Sequence, residues 1–277
     1  MPRVFDFNLE VHDRFATIAS IRALKGTDTK LVEVTAESAE DAVAAEAAGI
    51  EMVVALPSAV RSVRQGSQRL FVTAAIDFVE EPPLTVDELL RASVTMMEHG
   101  ADAVHTCRSP ASIRKLVDEG VPVMGHVGFV PRQSSVIGGI RGVGKTAEEA
   151  ALIWDQVRRL EDAGVFAVEC ELVAAPMMRE ITKRTSMATM SLGSGPDANI
   201  LGLFTSDICG HGEHIPRHAR VYADLNELYA RINEEKARAL SEFRNDVLAG
   251  TFPSAEESVA AEEIQVARFI EMLDKTI

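Results

Sequence analysis

Eight times along this 277-residue chain, a short apolar run rich in β-branched residues is bounded by turn residues and followed by a helical pattern. The runs are LVEVTA (31–36), EMVVALP (51–57), RLFVTAAID (69–77), ADAVHTC (101–107), VPVMGHVG (121–128), FAVECELV (166–173), SMATMSLGS (186–194) and ILGLFTSD (200–207). Helix-period segments follow, such as 37–49, 85–100, 109–120 and 146–164, several ending in the glycine that helix C-termini favour. Eight β-then-α units point to a (β/α)8 barrel rather than an open doubly wound sheet. The crossover 194–200 is too short for a full helix, and a single turn is expected there. The expected organisation is one domain over 1–277, with a helical extension at 1–30, the barrel at 31–218 and charged C-terminal helices at 219–277.

Composition limits the partners. A formal charge of −14 argues against nucleic acid or an anionic membrane, because phosphate binding needs clustered Lys and Arg. Cys107, Cys170 and Cys209 form no C-x-x-C pair, which suits a reducing compartment. The opening MPRVFDFNLEVHDRF mixes charges with apolar residues at short intervals, unlike a signal peptide or a membrane span. A cytoplasmic protein with small-molecule or protein partners is expected.

In a barrel of this kind the active site lies at the C-terminal ends of the strands. Alternation puts Glu169 and Glu171 of FAVECELV on one face and Cys170 on the other. If that face is the interior, two carboxylates sit where burial without partners is costly. Glu171, nearer the strand end, is read as functional, and the deeper Glu169 as a salt-bridge or hydrogen-bond partner. ADAVHTC ends with His105 and Cys107 on one face and Thr106 on the other; a structural histidine is the competing reading. Asp77 closes RLFVTAAID in a similar place, with a helix cap or loop ion pair as its plainer role. His126 and Ser58 follow two further strands.

Two motifs point elsewhere. Cys209, His211, His214 and His218 suggest zinc, and His214 and His218 have a suitable spacing, but Pro216 and the lack of a second cysteine favour a polar loop. GIRGVGKT (139–146) fits the Walker A pattern, and Asp207 is the fair candidate for its acidic partner. A P-loop needs a strand running directly into the glycines, and VPVMGHVG ends more than ten residues earlier. No specific ATP binding is expected, although Arg141 and Lys145 can attract an anion.

The runs GHVGFVPRQSSVIGG (125–139), AGVFAVECELV (163–173), SLGSGPDANILGLFTSDICG (191–210), HIPRHARVY (214–222) and LAGTFPSAEES (248–258) resemble the ketopantoate hydroxymethyltransferase family. The likeness runs from about Leu31 to Ser258. It implies a (β/α)8 TIM barrel of the phosphoenolpyruvate/pyruvate type, homo-oligomers and aldol-type chemistry in pantothenate synthesis. There, magnesium holds 3-methyl-2-oxobutanoate, a base removes the proton beside the carbonyl, and the enolate attacks the one-carbon unit of methylenetetrahydrofolate. By this resemblance, Glu171 matches the family's glutamate after strand six, and His126 the histidine of its GHxG run. Both are retained.

The family's magnesium ligands are not. Leu56-Pro57-Ser58 stands for Gly-Asp-Ser, Ala75 for an aspartate, and His105-Thr106-Cys107 for Lys-Ile-Glu. Three readings follow. One keeps the chemistry on a 2-oxo acid, with His105 replacing the lysine as cation or hydrogen-bond donor and with Ser58, His126, Asp77 and Cys107 binding substrate. A second, a diverged lyase or aldolase, uses zinc or iron on Asp77, His105 and Cys107, or no metal. A third is a non-catalytic small-molecule-binding barrel. The first is preferred.

Overall fold

A computed structural model describes residues 1–79, 81–212 and 214–275. It divides into two compact units, Met1–Cys209 with Glu213–Tyr222, and Gly210–Gly212 with Ala223–Ile277. In the first unit, eight strands close into a barrel: β3 (Leu31–Thr35), β4 (Met52–Ala55), β5 (Phe71–Ala75), β6 (Ala103–Thr106), β7 (Val123–Gly128), β8 (Ala167–Glu171), β9 (Ala188–Leu192) and β10 (Ile200–Leu203). Every pairing is parallel, and β10 closes on β3. Each expected apolar run contains one of these strands.

Alternation along the strands separates two cores. Met52, Phe71, Met124, Met190 and Ile200 fill the barrel interior. Val53, Val72, Val104, Val168 and Cys170 face outward and pack with helix residues such as Val63, Ile113 and Val157. Cys170 is therefore the outward neighbour of two inward glutamates, the orientation the pattern FAVECELV implies. The outer helices are α2 (Ala39–Ala47), α3 (Val60–Gly66), α4 (Val86–Glu98), α5 (Pro110–Asp118), α6 (Ala147–Ala163) and α7 (Ala175–Arg184). They start on side-chain caps where the sequence offers them, Ser38, Thr85, Ser109 and Thr146. Gly164, at φ 89°, ends α6. Between β9 and β10 the chain makes turns with no helix, and α8 (Thr205–Cys209) follows β10.

The first thirty residues differ from the helical extension expected. They form a hairpin of β1 (Arg3–Phe5) and β2 (Val11–Asp13), then a single five-residue helix, α1 (Ile18–Arg22). Phe5, Phe7, Leu9 and Val11 recur with period two, a strand pattern, and the Asp6 carboxylate accepts from the Asn8 and Glu10 amides to hold the turn. Ala16 and Ile21 join the interior cluster and so plug the N-terminal end of the barrel. Buried Arg14 and Arg64 share Asp102 there, at 2.9 and 2.7 Å. The second unit carries α9 (Leu225–Ala249) and α10 (Glu263–Asp274).

Candidate active site

A cavity of about 330 Å3 opens at the C-terminal ends of the strands. Its walls are mostly apolar, including Val54, Leu56, Ala75, Phe78, Leu192 and Phe204, and its polar side chains include Glu33, His105, Glu169 and Glu171. Glu169 and Glu171 come from β8, His105 from β6, and Glu33 from the middle of β3. Among the described residues lining it there is no Lys or Arg.

Behind the wall stands His126, its side chain 1% exposed. Its Nε2 lies 2.7 Å from the Phe129 carbonyl oxygen, which can only accept, so Nε2 carries the proton and Nδ1 presents a lone pair. That Nδ1 is 3.3 Å from His105 Nε2 and 3.4 Å from Glu169 Oε1. Glu171 Oε2 approaches His126 Nε2 at 3.4 Å, which links the cavity mouth to the interior group. Phe78 stacks on His105 with centroids 5.2 Å apart.

Burial decides the protonation of this group. It holds His105 well below its usual range, with neighbouring His126 adding to the effect, and it also lowers His126 against the opposing pull of the Phe129 carbonyl and Glu171. Burial pushes Glu169 up to about 7. Glu171 also rises to about 7, by burial first, with His126 opposing and Glu169 reinforcing. Glu33 rises to about 8 for want of solvent and because Glu169 faces it, with the Thr73 hydroxyl opposing. Its Oε1 has no hydrogen-bond partner among the described residues.

The structure separates residues that the sequence grouped. Asp77 is buried, but its carboxylate accepts from Thr106 Oγ1, from the Cys107 amide at 3.0 Å and from Arg108 Nε at 2.9 Å. Thr106 faces away from His105 on β6, so Asp77 turns out of the cavity into the loop ion pair that was its plainer reading. Cys107 lies just past β6; burial and Asp77 push its thiol up to about 11. Asp77, His105 and Cys107 therefore do not assemble as a metal group, whereas His105, His126 and Glu169 do. Burial disfavours the cationic form of His105, so of its two expected roles the hydrogen-bond donor is the one the surroundings favour. Ser58 is exposed in the turn before α3, outside the cavity lining. Sequence reading missed Glu33, although LVEVT carries the same signal as FAVECE: one carboxylate inside an apolar alternating run.

By the resemblance, Pro57, Ala75 and Cys107 stand where the family holds its magnesium ligands. Leu56 and Ala75 present hydrocarbon to the cavity, and the nearby Asp77 is already saturated. These residues do not fit that ion.

The remaining motifs have local explanations. Thr146 caps α6 through its hydroxyl, Arg141 pairs with Glu149 at 2.7 Å, and the loop reaches that helix from β7 through a 3-10 turn (Pro131–Gln133). No strand runs into the glycines among the described residues. Cys209, His211, His214 and His218 do not converge as a metal group; His214 and His218 face the buried Asp207 instead.

A closed parallel barrel with an acid and histidine cluster at its C-terminal mouth defines a (β/α)8 enzyme site. The fold is shared with a 2,3-dimethylmalate lyase of the PEP mutase/isocitrate lyase superfamily (TM-score 0.51, 14% identity, 87% of this chain and 93% of that one). It is shared too with a phosphonopyruvate hydrolase solved with oxalate and magnesium (TM-score 0.52, 11% identity, 94% and 99%). Residues 55–255 match the family model described as ketopantoate hydroxymethyltransferase. The 3-methyl-2-oxobutanoate hydroxymethyltransferase of Thermus thermophilus is 33% identical over 268 residues, covering 87% of this chain and 98% of its own. That of Leifsonia xyli is 37% identical over 207 residues, covering 72% and 70%. The chain belongs to the ketopantoate hydroxymethyltransferase family and is an enzyme.

Proposed function

We propose that the protein forms or breaks a carbon–carbon bond beside the carbonyl of a small 2-oxo acid, transferring a hydroxymethyl unit to 3-methyl-2-oxobutanoate from methylenetetrahydrofolate in the cytoplasm. One observation carries this reading. Glu171 ends β8 at the cavity, in reach of a bound carbonyl compound, and touches His126, which is itself fixed by the Phe129 carbonyl. Glu171 removes the proton next to the carbonyl, and the enolate carbon attacks the one-carbon unit as its bond to one folate nitrogen breaks, that nitrogen taking up the proton. Water then displaces the second nitrogen, which leaves the hydroxyl on the product and releases tetrahydrofolate, while the buried His105–His126–Glu169 group sets the local charge. Hydrocarbon from Val54, Leu56 and Leu192 excludes water from the enolate and suits a branched aliphatic side chain.

The test is proton exchange at C3 of 3-methyl-2-oxobutanoate in D2O, followed by turnover with the folate donor. Exchange that is fast in the wild type and lost in Glu171→Gln is expected. No exchange by folded wild-type protein overturns the reading. The lack of Lys or Arg among the described residues lining the cavity favours a second reading, a diverged aldolase or lyase acting on an uncharged carbonyl compound. Exchange into neutral aldehydes and ketones, but not into the 2-oxo acid, would select it.

A further inference from the structure

β6, β7 and β8 bring the donor groups of three side chains together, His105 and Glu169 lining the cavity and His126 just behind its wall. His105 Nε2 lies 3.3 Å from His126 Nδ1 and 3.6 Å from Glu169 Oε2, and His126 Nδ1 lies 3.4 Å from Glu169 Oε1. Two of these atoms belong to β6 and β7, where register pairs His105 with Met124 and so sets His126 two residues further along. β8 then places Glu169 directly opposite His126.

The spacing suits a shared ion. A tetrahedral ion with bonds of about 2.0–2.1 Å separates neighbouring donors by about 3.3–3.4 Å, because the edge of a tetrahedron is about 1.63 times its centre-to-corner distance. The two nitrogens match that edge, each Glu169 oxygen stands at or slightly above it from one histidine, and one atom from each of the three residues lies within 4.8 Å of the other two. His126 offers Nδ1 because its Nε2–H is held by a backbone carbonyl, the outer hydrogen bond that fixes a ligating imidazole in its tautomer.

We propose that His105 Nε2, His126 Nδ1 and the Glu169 carboxylate bind a divalent transition metal of the zinc or iron(II) class, with its remaining coordination positions open to the cavity. Two imidazoles and a carboxylate are a donor set of intermediate softness that suits such ions better than magnesium. Binding at His105 Nε2 moves the ring proton, which otherwise bridges the two rings, to Nδ1 of the same imidazole, and releases any proton on Glu169. Two further observations point to a ligand here. Glu33 lines the same cavity, fully buried, with Oε1 unpartnered among the described residues. The Thr73 hydroxyl stands beside this carboxyl, and a metal-bound water supplies the partner that Oε1 lacks. The lining also lacks any Lys or Arg among the described residues, so a cation at this site provides the positive charge that an anionic substrate requires.

The donor geometry and Glu33 stand apart from the transferase reading, and only the charge argument rests on its anionic substrate. If both hold, the ion polarises the substrate carbonyl in place of the magnesium that the family's ligands would have held.

The experiment is equilibrium dialysis of chelator-stripped, full-length protein against Co(II) and Zn(II), and against Fe(II) without oxygen, with metal analysis and, for cobalt, visible absorption. About one ion per chain is expected, without the thiolate-to-metal absorption that a Cys107 ligand would give. Affinity drops at least tenfold in His105→Ala and in Glu169→Gln, and is unchanged in Cys107→Ser. Because loss of a buried side chain can unfold the barrel, the wild-type cobalt protein is also read by NMR, where hyperfine-shifted ring N–H signals from two imidazoles are expected. Failure of all three ions to bind stoichiometrically, a thiolate band, or a cobalt protein without those shifted signals overturns the proposal. Uptake is measured without substrate, so a failed proton-exchange assay leaves the site standing, and failed uptake leaves the exchange assay in force.

Discussion

Glu33 shows what an inward carboxylate does to the barrel that holds it. Its folded pKa of about 8 lies above the unfolded value of 4.5, so the native state keeps the proton longer. Stability therefore falls as pH rises from about 4.5 to 8, is lowest above that range, and carries no penalty below it. Glu33→Gln, an isostere of the neutral form, should match the wild type near pH 4 and exceed it near pH 9, by at most about 5 kcal/mol. Thermal unfolding across that range decides it; parallel curves for the two proteins would show that Glu33 is ionised in the fold. Glu171→Gln belongs to the same scale with the opposite readout. It should lower proton exchange by about 10^2–10^4-fold while leaving the unfolding midpoint within a few degrees. Both glutamates of β8 were legible from alternation, because a period of two needs only the local sequence. Glu33 carries the same signal, but its mid-strand position hid it from a search directed at strand ends. The His105–His126 contact and the loss of Asp77 to Arg108 depend on barrel register and loop path, which no local spacing encodes.

Elements carry the next level of constraint, and the join of β7 to β8 is the tightest. Gly128 ends β7 at φ 93°, and a Cβ there would stand 2.3 Å from the Glu171 carbonyl oxygen. Gly128→Ala must bear the left-handed cost of about 1–2 kcal/mol and also displace the backbone of the proposed base. The expected result is a lowered unfolding midpoint together with a fall in activity larger than stability loss explains. Normal activity in the folded variant would uncouple this turn from the site. The glycine-rich loop beyond it shows how a motif can be met without its geometry. GIRGVGKT reads as a phosphate loop, yet Val143 bridges to Val173, and Glu149 takes both the Arg141 guanidinium and the Lys145 amide. ATP titration is expected to give no saturable micromolar signal; one that Lys145→Ala abolishes would contradict this. Long apolar runs made the eight strands and main helices readable. The N-terminal hairpin, with strands of three residues each, falls below the length at which a period declares itself, although Phe5, Phe7, Leu9 and Val11 do alternate.

At the scale of the molecule, both apolar core clusters lie within the first unit, so the barrel completes its interior without residues 223–277. The long helix α9 carries Leu228, Ile232, Leu240, Phe243 and Val247 at helical spacing, all between 45% and 68% exposed. An apolar stripe of that length is uncommon on a monomer surface. Fully burying a side chain of this size contributes about 1.5–3 kcal/mol, and these are already partly covered. Several on each of two protomers still compete with an association cost of about 4–15 kcal/mol. The net charge of −14 on every copy opposes assembly at long range and is screened within about 10 Å at 0.1 M salt. Apolar contact therefore decides the balance, and a homo-oligomer is the expected state. Light scattering at micromolar concentration should give a multiple of 30.0 kDa. Ile232→Asp combined with Leu240→Asp should shift that mass downward, and the shift should be larger at low salt. A wild-type chain that runs at the monomer mass, with these residues still exposed, would remove the stripe as an assembly surface.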